Sequence, residues 1–262
     1  MNKRVEMINR FYDGYREDQR LSVSRHGQLE YFTTMHYVRR MIPKNSDILE
    51  VGAGTGRYSI ALAEEGYNVT AVELAEKNLA ILKRNSEGIK NIHSYRGDAL
   101  DLSRFANDMF DTVLVLGPLY HLYEESDQKK ALNEAIRVTK PGGIVMVAFL
   151  SIHAIMYDDY LKGNVRAGID ENFTEDYRVK HFAEQFFTGF NIDEFETMFE
   201  NMPVEWLATV ATDGALELAE GRADFEMSDK DFEDFAEYHL KHCERRELLG
   251  NSSHLLYICR KK

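Results

Sequence analysis

The chain has 262 residues, 44% of them hydrophobic and only four of them proline, enough for one sizeable core with an added cap and not obviously for two. Its formal net charge is −12 and its sequence pI is near 5.3; counterion release on a nucleic acid rewards a basic stripe, so nucleic acid is disfavoured as the main partner. No apolar run reaches bilayer length, the charged start "MNKRVEMINRF" lacks the apolar centre of a signal peptide, and Cys243 and Cys259 lie far from any CxxC pattern, which speaks against a membrane span, a disulfide framework or a zinc site and for a reducing cytoplasm.

Residues 1–43 are expected to form a helical N-terminal cap, because Tyr31, Met35, Val38 and Ile42 follow a 3.6-residue period. Across residues 44–150 short apolar runs alternate with amphipathic stretches. "DILEV" reads as a strand and "GRYSIALAEEG" as a helix closed by Gly66. "YNVTAVEL" is a second strand, and "AEKNLAILKRN" a helix with Leu79, Ile81 and Leu82 as its apolar residues. "IHSYRGD" is a weaker third strand. "FDTVLVLG" is a fourth, almost wholly apolar, as a strand buried on both faces should be. "SDQKKALNEAIRVTKPGG" gives a helix stopped by Pro141 and two glycines, ahead of the fifth strand "IVMVAFL".

Residues 151–190 break the rhythm; polar, aromatic and irregularly periodic, they are expected to be a helical lid inserted after that strand. Residues 191–262 then complete the sheet. "NIDEFETMFENM" is a helix whose Met and Phe stripe is a core face, and "VEWLATVAT" is a strand. "SDKDFEDFAEYHLKHCERR" is a helix capped by Ser228, with Phe232, Phe235, His239 and Cys243 on one face, and "HLLYIC" is the closing strand. His239, His242 and Cys243 share one helix turn, but no further ligands are signalled, so no metal site is expected. The fold class is α/β: a doubly wound, mostly parallel sheet with right-handed crossovers, in one domain spanning 1–262.

The loop "EVGAGTGRYS" between the first strand and first helix sits where open α/β sheets bind ligands. Gly52-x-Gly54-x-Gly56 departs from the dinucleotide pattern GxGxxG, because its last glycine would fall at Arg57. GxGxG alone is a weak signal. It gains weight from Glu73 at the end of the next strand, whose carboxylate can accept both hydroxyls of a ribose; such charged hydrogen bonds contribute roughly 1.5–3 kcal/mol each. Asp98, in "RGDALDL", ends the third strand, where it suits an exocyclic amine with Ala99 and Leu100 lining an adenine slot, or a helix N-cap, or both. Arg57 opposes the dipole of the first helix turn, which is reasonable if an anion such as an amino-acid carboxylate docks nearby.

Together "EVGAGTG", Glu73, "GDAL" and "FDTVLVLGPLYHL" resemble the class I S-adenosylmethionine-dependent methyltransferases, closely over about residues 46–150 and loosely beyond. The resemblance implies a seven-stranded sheet with "HLLYIC" as the reversed strand. It implies S-adenosyl-L-methionine as cofactor, with the loop Gly52, Ala53, Gly54, Thr55, Gly56 and Arg57 along its methionine part. Glu73 and Leu74 would lie at the ribose, Asp98, Ala99 and Leu100 at the adenine, and Leu116 and Gly117 beside the methyl group. The N-terminal stretch "FYDGYREDQRLSVSRHGQLEYF" would cover the cofactor, as similar extensions do in this family. There Tyr12 or Tyr15 offers a ring face to the sulfonium, and Arg25 clusters with His26 and Glu30.

Base and amide methyltransferases of that family carry Asn or Asp before Pro-Pro-aromatic after the fourth strand, whereas here stands Gly117-Pro118-Leu119-Tyr120. This disfavours DNA adenine and protein glutamine as acceptors. His121 is the candidate general base, with Tyr120 beside it, should the acceptor need to lose a proton. His121 packing the loop is the competing role. Tyr157 and Tyr160 are candidate acceptor contacts, and the acidic residues after position 151 point to an amine or other cation as the small-molecule acceptor. A protein or RNA methyltransferase, and a binding module without catalysis, remain the alternatives.

Overall fold

Eight strands build one sheet in the order β3-β2-β1-β4-β5-β8-β7: β1 (Asp47–Val51), β2 (Asn68–Glu73), β3 (Ile92–Arg96), β4 (Phe110–Val115), β5 (Thr139–Ser151), β6 (Gly189–Phe190), β7 (Val204–Ala211) and β8 (His254–Lys261). The computed structural model describes residues 3–182 and 185–262; positions 1, 2, 183 and 184 of the expected cap and lid lie outside the described residues. β1 to β5 run parallel, and β8 runs antiparallel between β5 and β7. The sheet therefore has the reversed strand expected of it. The eighth member, β6, was not foreseen: two residues pair with the end of β5, Leu150 opposite Gly189 and Ser151 opposite Phe190.

The apolar runs lie where the burial is deepest. Ile48 and Leu49 of β1 and Val113 and Leu114 of β4, the two central strands, are fully buried. β3 is the edge strand and leaves His93, Tyr95 and Arg96 at least partly exposed, which is why its apolar signal is thin. Helices Arg57–Glu64, Glu76–Asn85 and Glu125–Val138 form the crossovers. The last of these stops at Val138, three residues before Pro141, and Pro141 with its two glycines opens β5 instead of ending the helix. The helix read from "NIDEFETMFENM" is confined to Ile192–Thr197. Ser228 caps Asp229–His242 through a capping box with Asp231.

Strands leave β1 in opposite directions, toward β2 and β3 on one side and toward β4 and β5 on the other. At that switch point the loops after β1 and β4 diverge and open a crevice at the carboxyl edge of the sheet. Three segments wall it in. Helix Lys3–Gly14 packs against helix Glu76–Asn85, and helix Arg25–Met41 packs on Leu216–Glu220 and Asp229–His242. The insertion after β5 supplies the short helix Ile152–Ile155, a π-helical turn Met156–Tyr160 and helix Val165–Asn172. Because β8 is antiparallel, its first residue, His254, also arrives at this edge, opposite Leu150 of β5.

Candidate functional site

The crevice holds a cavity of about 540 Å³ that runs from the glycine loop to the insertion. At the loop end the backbone turns sharply: Gly52, Gly54 and Gly56 have φ of +78°, +55° and +92°. Gly52 and Ala53 donate their N–H groups to the Val72 carbonyl at 2.8 and 3.0 Å, which fastens the loop to β2. A Cβ at Gly52 would meet Pro118 Cδ at 2.6 Å, and one at Gly56 would meet Leu82 Cδ1 at 2.2 Å. Two of the three glycines are thus dictated by the turn and by the protein's own packing. Gly54 faces Glu17, and of the three only it and Gly52 line the cavity.

Glu73 locks this end. Its Oε2 accepts from Gly54 N–H and its Oε1 from Ala75 N–H, both at 2.7 Å. Burial pushes its carboxyl up to about 7 against those two bonds, with the Glu17 charge adding to the rise. Leu74, Asp98, Ala99, Leu116 and Gly117 also line the cavity. Asp98, however, is already engaged: its carboxylate pairs with the buried Arg4 of the N-terminal helix and accepts the Leu100 N–H at 3.1 Å. No helix follows Asp98, so the helix N-cap expected there is replaced by a turn cap on Leu100, and the residue also lines the cleft.

Several expected site residues lie elsewhere. Arg57 stacks its guanidinium 4.6 Å from the Tyr31 ring centroid, outside the main cavity. Arg4 and Arg20 line that cavity instead, Arg20 bidentate on Glu30 at 2.6 and 3.0 Å with Glu17 at 3.4 Å. Arg25 is a clasp between elements, bonded to Asp229 at 2.6 Å and stacked over Phe232, because it opens a helix that packs on the C-terminal half. Ala53, Thr55, Gly56 and Leu100 support the loop or turn without lining the main cavity. Tyr15 lines it and stacks on Phe11. Tyr160 lines it too, donating its hydroxyl to Glu171 at 2.8 Å, whereas Tyr157 is exposed. His239 bonds the Ala211 carbonyl at 2.9 Å, His242 bonds the Tyr238 carbonyl at 2.7 Å and Cys243 is buried.

His121 sits in the wall between both ends, and its two nitrogens have defined partners. Nδ1 is 2.9 Å from the Phe186 carbonyl, which can only accept, so Nδ1 carries the proton. Nε2 then accepts from the Tyr12 hydroxyl at 3.1 Å. Burial pushes the imidazole down to about 4. A ring this weakly basic, with its lone pair occupied, is a clamp joining the N-terminal helix to the segment around Phe186. The general-base expectation is corrected on that ground. Tyr120 lines the cavity with its hydroxyl buried and without a hydrogen-bond partner among the described residues.

Beyond the acidic residues expected after position 151, the far end carries a histidine that the sequence did not single out. His254 donates from Nδ1 to the fully buried Asp213 at 2.7 Å, with Glu30 at 3.8 Å. Burial alone would depress it, but Glu30 and Asp213 hold it up to about 9. Asp158, Asp159 and Glu217 line the same end. One signal existed in the sequence: a histidine opening an antiparallel strand must fall at the edge where the parallel strands end.

Residues 48–143 match the family model of a methyltransferase domain. A demethylmenaquinone methyltransferase of Clavibacter sepedonicus is 35% identical over 120 residues, 44% of this chain and 47% of that protein. A glycine/sarcosine N-methyltransferase of Parasynechococcus marenigrum is 33% identical over 129 residues, 47% of this chain and 46% of that protein. The chain spans about half the length of the curated relatives it matches. Among solved structures, a Pyrococcus horikoshii protein superposes with a TM-score of 0.62 at 16% identity, covering 97% of this chain and 99% of that one. The fold is thereby the Rossmann-like methyltransferase fold.

Proposed function

We propose, from the match of residues 48–143 to the family model of a methyltransferase domain, that the chain transfers a methyl group from S-adenosylmethionine to a small-molecule acceptor. The observation that carries this reading is the continuity of one walled cavity, from Glu73 and Gly54 at one end to Tyr120, Ser253 and His254 at the other.

The residues of the loop end fit the cofactor. Each Glu73 oxygen keeps acceptor capacity beyond its backbone partner and can receive a ribose hydroxyl. Arg20 and Glu17, one cation and one anion beside Gly54, match the carboxylate and ammonium of a methionyl end, the role Arg57 was expected to share. Bound S-adenosylmethionine supplies a sulfonium methyl, which passes to an acceptor lone pair while the carbon–sulfur electron pair stays on sulfur as S-adenosylhomocysteine.

The chain's own contribution is positioning. The loop, the Leu116–Pro118 wall and the clamp through His121 fix where donor and acceptor meet, a contribution of about 7–11 kcal/mol in favourable systems. No residue here is asked to move a proton through His121. The insertion and the N-terminal helix wall off the acceptor end, which favours a small acceptor over RNA or a protein chain. One relative is named for demethylmenaquinone and another for the nitrogen of glycine and sarcosine. The carboxylates at the far end favour an amine.

Incubating the protein with methyl-labelled donor and a bacterial metabolite extract tests the reading. Label is expected on one low-mass compound. Label confined to RNA or protein, or donor binding with no labelled product, would replace it with one of the two alternatives.

A further inference from the structure

The basic side chains at the far end of the cavity already have acidic partners: His254 is paired with Asp213, and His26 Nδ1 bonds Glu220 at 2.7 Å. What faces the cavity beyond those pairs is acidic. Asp158 and Asp159 come from the π-helical turn and have no ion pair among the described residues. Glu217, from helix Leu216–Glu220, has the His26 ring at 3.8 Å and lies close to Ser253 and His254. Burial pushes both Asp158 and Glu217 upward, with Asp159 adding to the first and Asp213 to the second.

Two further side chains point to a ligand independently of charge. Tyr120, 7% exposed, lines the cavity with a hydroxyl that has no hydrogen-bond partner among the described residues. Gln185, 9% exposed, donates its amide to Asn172 at 3.0 Å, and its Oε1 has no donor among the described residues. Buried polar atoms are normally satisfied, and an amide oxygen and carboxylates can be satisfied only by a donor. Anionic or acceptor-only ligands would leave them orphaned.

We propose that this end of the cavity is a receptor for a protonated amine on the methyl acceptor, held by Asp158 and Glu217 with Gln185 Oε1 as a further acceptor and the Tyr120 hydroxyl completing the pocket. This rests on the methyl-transfer reading for its purpose but not for its chemistry. It concerns the acceptor's charge, whichever atom receives the methyl. His254 is paired with the buried Asp213 and lies within 4.8 Å of Glu217 as well, so two carboxylates face the one cation there, and Asp158 and Asp159 add to the acidic excess.

Titration calorimetry on the full chain, saturated with S-adenosylhomocysteine, distinguishes the possibilities with three probes of one length: hexylamine, hexanoate and hexanol. Hexylamine is expected to bind saturably and at least tenfold more tightly than the other two. Asp158→Asn and Glu217→Gln, both isosteric, are each expected to weaken it about tenfold with the affinity for S-adenosylhomocysteine unchanged. Equal or tighter binding of hexanoate or hexanol, no binding of any probe at millimolar concentration, or an amine affinity untouched in the double variant overturns the proposal. Thermal unfolding checks that each variant folds; should one fail to fold, the other decides. The two readings fail separately. No binding of S-adenosylhomocysteine removes the methyl-transfer reading, and the hexylamine comparison, repeated without it, still judges the amine receptor.

Discussion

Glu73 is the residue on which the cofactor end turns, and its protonation is predictable. Burial holds its carboxyl near 7, with Glu17 as the neighbouring charge. A ribose hydroxyl donates best to the ionised form, so binding must remove a proton at low pH. Donor affinity is therefore expected to rise as pH climbs from 6 to 8, levelling off above the inflection. Glu73→Ala removes the charged acceptor and should weaken binding by about 10- to 100-fold at pH 8, in line with charged hydrogen bonds of roughly 1.5–3 kcal/mol. Calorimetry at several pH values checks both; a flat profile in the natural protein would remove Glu73 from the ribose. Glu73 was legible in the sequence because its place follows from local pattern alone, a carboxylate ending the strand after a glycine loop. Arg20 and His254 were not, because their meaning depends on Glu30 and Asp213, reached only through the fold. Arg57 misled for the same reason: its partner, Tyr31, is 26 residues away.

The glycine loop shows how an element can be read correctly for an incomplete reason. Its spacing marks the site, yet Gly52 is also dictated by Pro118, which the sequence does not place beside it. Gly52→Ala must adopt φ near +78° and push its Cβ into the proline ring. Left-handed backbone costs an L-residue about 1–2 kcal/mol and overpacking about 1–3 kcal/mol, so a loss of roughly 2–5 kcal/mol is expected. At Gly54 an added Cβ would stand 3.4 Å from Glu17 Cγ, an ordinary contact, and only the backbone term of about 1–2 kcal/mol applies. Urea unfolding of the two variants should rank them in that order. Equal losses would show that backbone conformation alone sets the requirement. The strands around this loop were legible because buried parallel strands are near-continuous apolar runs. The insertion was legible only as an interruption: its π-helical turn and the two-residue β6 carry no period that a short sequence window can register.

At the scale of the whole molecule, the notable cost is the number of ionisable groups buried together at one edge of the sheet. Glu50, fully enclosed under the loop and hydrogen-bonded by Ser59, is pushed by burial up to about 8, and Glu73 to about 7. His254 is held at about 9 by Glu30 and Asp213 against its burial. In all three the folded chain binds a proton more tightly than the unfolded one. Their contribution is fully present below the unfolded values, about 4.5 for the carboxylates and 6.5 for histidine, and is lost as pH rises through 7, 8 and 9. His121, pushed down to about 4, acts with the opposite sign, but only as pH falls from 6.5 toward 4. Between pH 6.5 and 9 the three raised groups act in the same direction. Each removes at most about 1.4 kcal/mol per pH unit, and a chain of this size loses about 2–4 °C per kcal/mol, so the midpoint of the ligand-free protein should fall by roughly 10–20 °C across that range. Glu50→Gln keeps an acceptor for Ser59 but has nothing to ionise. It should flatten the part of the decline between pH 6.5 and 8 and leave the part due to His254. Differential scanning calorimetry on both proteins decides it: parallel declines would mean that Glu50 is ionised inside the fold at neutral pH, with its charge met by an interaction other than the Ser59 hydroxyl.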